Sequence, residues 1–281
     1  MIALAQQLGQ AYREACLLEL QALKPGNVHA FADGHGMTVQ DFIRSAEASS
    51  QVIAKPNLTL GQRIYQTIKT TRQAVSCNTN LGIVLLCAPI IQAALMQNDD
   101  ALQANIHAVI QVSNLQDAED CFAAILLANP GGLGESDRHD VHQPATVTIE
   151  MAMQEAQDRD MVARQYATGF ADVFQSAYFY RKMQETHNPA WSTTALYLDI
   201  LSQWPDSHIV RKQGRPVAME VQAEAAEQLA IFLSLENPKL AQKSLLEWDK
   251  TLKQHGINPG TSADLTVAAI LVSSLLSHKS S

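Results

Sequence analysis

Apolar residues return every three to four positions along most of this chain, with polar residues between them, which is the spacing of one helical face. The pattern predicts helices over 4–23, from Thr38 to about Ala54, and from Thr59 to about Val75. Thr38 with Asp41, and Thr59 with Gln62, have the spacing of capping boxes, and the breaks fall at Pro25-Gly26 and Pro56-Asn57. Leu81–Gln97 is apolar throughout, which predicts a helix buried on all sides, with Pro89 as a kink or a join between two helices. Shorter helices are expected at 99–111 and 115–128, and further ones at 148–158, 160–187, 192–204, 215–235 and 238–255. Pro189 stops the 160–187 helix, and Asn237-Pro238 supplies a cap and first residue for the 238–255 helix. Ser262 is expected to cap the last helix, with Asp264 in its first turn and Ala268–Leu276 in the core. Only Ala145–Ile149 hints at a strand. The expected fold is all-α, one domain over 1–281, with a ligand site built from loops and helix N-termini.

Composition narrows the class. The chain has 281 residues, 47% hydrophobic and only 6% aromatic, so Ala and Leu carry the packing, which favours helices over β-sandwiches. Cys16, Cys77, Cys87 and Cys121 form no C-x-x-C pair and read as reduced thiols. A formal net charge of −8 argues against a nucleic-acid binder with a broad basic surface. No signal-peptide pattern opens the sequence, and Leu81–Leu95 is too short to cross a bilayer. The expectation is a soluble cytoplasmic protein with no membrane or nucleic-acid partner.

Four polar clusters interrupt the helical pattern: Lys24-Pro25-Gly26-Asn27-Val28-His29, Ser76–Gly82, Asn129–Gly134 and Asn258–Leu265. Each couples a flexible turn to a helix boundary, where free N–H groups and the helix dipole favour an anion such as phosphate. All four are expected to meet in one cleft. The 129–147 stretch is the longest without a helical period, and loops of that length are usually functional or disordered; it is the candidate for a lid. No P-loop and no dinucleotide fingerprint is present. His139 and His142 have the spacing of a metal pair, but a third and a fourth ligand are missing. Asp206 and Asp264, each at a break or helix start, are hard oxygen donors suited to Mg²⁺ with substrate phosphates. Lys24, Arg138, Arg181-Lys182, Arg211-Lys212 and Arg215 offer local positive charge.

In order along the chain, these clusters resemble the triphosphoribosyl-dephospho-CoA synthase family. Glu19 with Lys24-Pro25-Gly26 is similar to its Glu…Lys-Pro-Gly start, and Phe42 with Ser45 to its Phe-x-x-Ser segment. Asn78-Thr79-Asn80-Leu81-Gly82 resembles its Asn-Thr-x-x-Gly turn. Asp206-Ser207-His208, with Gly214 downstream, resembles Asp-Thr-Asn, and Asn258-Pro259-Gly260-Thr261-Ser262-Ala263-Asp264-Leu265 resembles Asn-Pro-Gly-Gly-Ser-Ala-Asp-Leu. The chain departs from the family at Asn27, His29, Asn80-Leu81 and Ser207-His208, in the manner of an archaeal and methylotroph-associated branch.

The resemblance implies displacement of adenine from ATP by the 2′-hydroxyl of 3′-dephospho-CoA, with Mg²⁺ or a similar divalent cation on the phosphates. An acceptor from tetrahydromethanopterin assembly is the rival within the enzyme class. A non-catalytic nucleotide-binding module is the rival outside it. The base would be Glu19, Asp206 or Asp264, with Asp206 and Asp264 also as metal ligands. Substrate and phosphate contacts would fall to Lys24, Gly26, Asn27, His29, Ser45, Asn78, Thr79, Asn80, Gly82, His208, Arg211, Lys212, Asn258, Gly260 and Ser262. The partners are ATP and a CoA- or pterin-type acceptor, and a homo-oligomer is compatible with both.

Overall fold

The computed structural model describes residues 2–98, 100–132, 134 and 138–278, and its described residues are helices and turns with no strand. Ala145–Ile149 forms no strand: 145–148 is irregular, and Thr148 caps a helix that begins at Ile149. Chain contacts divide the protein into two compact units. The first is Met1–Glu14 with Asp41–Asp172, and the second is Ala15–Gln40 with Val173–Ser281. Helices α1 (Ile2–Gln21), α2 (Val39–Ile53) and α9 (Ala171–Gln184) each have residues in both.

The first unit also holds α3 (Leu60–Ala74), α4 (Leu81–Ala94), α5 (Leu102–Gln111), α6 (Leu115–Ala128), α7 (Ile149–Ala156) and α8 (Met161–Ala167). The capping box at Thr59 and Gln62 forms and opens α3. α3 packs on α6 so closely that a Cβ on Gly61 would lie 2.4 Å from the Asp117 backbone. Asp117 then accepts the Gly61 N–H at 2.9 Å and the Asn114 N–H at 3.0 Å, closing the starts of both helices. Buried Arg63 donates to the carbonyls of Ile53, Lys55 and Leu58, where a cation suits the end of α2.

Pro89 neither ends nor splits α4, which is one helix with the proline inside it. Proline removes the N–H that would bond Leu85 O. The Tyr166 hydroxyl, from α8, donates to that carbonyl at 2.6 Å in its place. The expected single helix over 160–187 is two, α8 and α9, because Gly169 and Phe170 take left-handed φ of 62° each and buried Phe170 anchors the turn.

The second unit contains α10 (Pro189–Gln203), α11 (Ser207–Gln213), α12 (Arg215–Ser234), a 3-10 turn (Pro238–Ala241), α13 (Gln242–Gln254) and α14 (Gly260–His278). Pro189 does not merely stop the preceding helix; with Asn188 as cap it starts α10. α11 is a helix where the sequence suggested only a break, because Asp206 caps seven residues between Pro205 and Gly214. Leu23, Tyr197, Leu201, Ile209, Phe232 and Leu245 share one core. Gly260–Ser277 is long and apolar enough to cross a membrane by length and composition, but 72% of it is buried inside the protein, as a core helix is.

Candidate active site

The turn after α1 is fixed from several directions within the second unit. Gly26 has φ +84°, and a Cβ there would meet Pro259 Cδ at 2.7 Å, so the first and fourth clusters are in contact and only glycine fits. Asn27 Nδ2 donates to Asn258 Oδ1 at 2.8 Å. The two carbonyls around Gly26 are held as well: Tyr197 donates to Pro25 O at 2.7 Å, and His35 Nε2 to Gly26 O at 2.8 Å. The Gly26 N–H donates to Asp249 Oδ1 at 2.8 Å.

Beside this turn lies a buried charged group. The Lys24 ammonium has no exposed surface and donates to Glu19 and Asn27. Burial pushes Glu19 up and Lys24 down, each opposed by the other. Lys24 is therefore an internal partner of Glu19 and not an open contact for phosphate. Asp264 keeps a little exposed surface. Its carboxyl is nevertheless raised well above the ordinary range by burial, then by Glu19 and Asp206, with Arg211 and Lys24 opposing.

Asp206 serves geometry first. Its Oδ1 accepts the His208 and Ile209 N–H groups at 2.8 and 3.1 Å, capping α11. Its Oδ2 accepts both the N–H and the hydroxyl of Ser262 at 2.7 and 2.8 Å. Those four bonds fill the acceptor sites of a carboxylate. Ser262 is thus no cap. α14 begins two residues earlier, at Gly260, and Asp264 lies just beyond its first turn. The anion expected at this helix start is the protein's own Asp206. His208 packs against the same end, so that a Cβ on Gly260 would meet its Nδ1 at 2.4 Å. Burial, then Arg211, Lys212 and His35, hold its imidazole down to about 3. Arg211 and Lys212 are exposed.

The family model for ATP:dephospho-CoA triphosphoribosyl transferase matches residues 5–281. The chain belongs to that family. Among solved structures, a protein from Archaeoglobus fulgidus provisionally described as a triphosphoribosyl-dephospho-CoA synthase is similar in fold, with a TM-score of 0.64 and 20% identity. The match covers 84% of this chain and 97% of that one. No curated protein matches significantly.

Other expected triphosphoribosyl transferase residues lie in the first unit. The Ser45 and Thr79 hydroxyls bond each other, Asn80 Nδ2 donates to Thr71 Oγ1 at 3.0 Å, and Asn78 Oδ1 accepts the Leu81 N–H at 3.2 Å. Gly82 lies inside α4. In the 129–147 stretch Gly134 has φ +64°, whereas Leu133 and residues 135–137 lie outside the described residues. His142 pairs with Asp140 at 2.6 Å, and no group of three or more metal-binding side chains occurs among the described residues.

Sequence reasoning missed Asp249, Tyr197, His35 and Lys253. Asp249 had a signal: it stands between Leu245, Trp248 and Leu252, an acid on the buried face of α13 with Lys253 one turn on. His29, fully buried, accepts the Phe31 N–H at Nδ1 and faces Asp249 through Nε2 at 3.3 Å. Burial, then Lys253 and Lys24, outweigh Asp249 and hold its imidazole below the ordinary value. For Asp249 burial acts upward, but the bonds from His29, Lys253 and Gly26 hold its carboxyl below the ordinary value.

Proposed function

We propose that the chain transfers the triphosphoribosyl group of ATP to the 2′-hydroxyl of 3′-dephospho-CoA and releases adenine. The observation that carries this reading is the family match across residues 5–281. It also favours dephospho-CoA over a pterin acceptor. In the transfer the bond from ribose C1′ to adenine breaks, a bond from C1′ to the acceptor oxygen forms, and the hydroxyl proton ends on adenine. Such a centre passes through an oxocarbenium-like state and needs one group to take a proton and another to give one.

Asp264 suits the donor role, because burial beside Glu19 and Asp206 raises its carboxyl well above the ordinary carboxylate range. Glu19, raised above an ordinary glutamate by burial and bonded to Lys24, suits the acceptor role only by relay, since it is itself buried. Arg211 and Lys212 are the exposed cations for the triphosphate. The protein side chains do not fit a resident metal: Asp206 is fully bonded, and no group of three or more metal-binding side chains occurs among the described residues. Magnesium enters this reading only as part of the ATP substrate. Soluble substrates of this kind support a cytoplasmic setting.

The test is incubation with ATP, Mg²⁺ and dephospho-CoA, measuring free adenine and the mass of the acceptor product. Stoichiometric adenine and triphosphoribosyl adduct are expected. ATP binding without adenine release, or release only with a pterin acceptor, would overturn the reading.

A further inference from the structure

We propose that Asp249 is a positioning residue of the transfer site, holding the Lys24–Asn27 turn in its working geometry through the Gly26 amide and the His29 imidazole. The inference rests on the transfer reading above. Glycine at φ +84° has little conformational preference of its own, so this turn takes its shape from its ties. Asp249 supplies the charged one. Its 2.8 Å bond to the Gly26 N–H spans 223 residues of sequence, and carboxylate acceptors make the stronger hydrogen bonds. The same oxygen faces His29, at the far end of the same turn. Lys253, at 3.0 Å, balances the buried negative charge. Between the two held points lie Asn27, which bonds the Lys24 ammonium, and Val28. Displacement of Gly26 therefore moves Asn27, and with it the partner that aims Lys24 at Glu19.

Asp249→Ala and Asp249→Asn separate positioning from bulk stability. Misplacement by about 1 Å typically costs on the order of 10²-fold in rate. Asp249→Ala is expected to lower kcat by about that factor with KM values changed less than about 3-fold. Asp249→Asn keeps an oxygen for Gly26 and His29. Its NH₂ replaces the oxygen that accepts from Lys253, whose ammonium retains Ala32 O. This variant is expected to recover kcat to within about 5-fold of the unaltered chain. In spectra of ¹⁵N-glycine-labelled protein, the Gly26 amide proton should move upfield in the alanine variant alone. Unaltered turnover in Asp249→Ala would overturn the proposal, as would an equal loss in both variants or a loss explained by the unfolded fraction. If the unaltered chain releases no adenine, the transfer reading fails, and ATP titration decides the positioning claim. ATP must then perturb the Gly26 amide in the unaltered and asparagine proteins and not in the alanine variant; an amide unmoved by ATP, or moved alike in all three, overturns it.

Discussion

Asp206 shows how one side chain can look catalytic in sequence and prove to be a tie between elements. An acid at a helix start reads equally as cap, ligand or base, and only the Ser262 bonds reveal that both its oxygens are used. If it were a cap alone, Asp206→Asn would be nearly silent, since asparagine caps about as well. Here the amide that keeps capping α11 must point its NH₂ group at the Ser262 N–H, two donors face to face. The expected loss is about 2–3 kcal/mol, measured by urea unfolding. A change within error would remove the α14 tie from the account. Lys24 makes a similar point: its position beside glycine was legible, but its burial against Glu19 depends on which way a four-carbon stem turns. Asp249 was missed because the two partners it ties, Gly26 and His29, lie more than two hundred residues away.

At the scale of elements, most helices were legible from spacing and caps. The capping box at Thr59 and the start at Leu115 stand where the sequence put them. The misplacements share a cause. Short helices such as α11, and breaks such as Gly169-Phe170, are decided by one or two residues whose conformation tertiary burial selects. Pro89 gives the element-scale prediction. Tyr166→Phe should destabilise the protein by about 1–3 kcal/mol, because it leaves Leu85 O buried without a donor. In a Pro89→Ala background the helix regains its own N–H, and the same substitution should cost much less. Thermal and urea unfolding of the four proteins in this cycle measure the coupling; equal costs in both backgrounds would show that Tyr166 acts by packing alone.

For the whole molecule, pH is the sharpest probe of the buried groups. His208 is neutral in the folded chain down to about 3, against an ordinary 6.5. Its stabilising contribution is therefore complete above about pH 6.5 and is lost as pH falls toward 3. Asp199, raised to about 6, and Asp206, Asp264 and Glu19, also raised, act with the opposite sign, favouring the fold at lower pH. Comparing the unaltered chain with His208→Gln isolates the histidine: the difference in unfolding free energy should rise with pH between 4 and 6, by up to about 1.4 kcal/mol per pH unit. A flat difference would mean that the imidazole titrates normally. The second unit has one more consequence, which concerns time. Its first segment, Ala15–Gln40, leaves the ribosome long before Asp249 and Asn258, which stand 223 and 231 residues beyond their partners in the turn. At about 5–20 residues per second, the Lys24 turn waits on the order of 10–45 seconds for the groups that complete it. The earliest part of the site to be made is among the last to take shape, and a premature stop anywhere before Asp249 strands it.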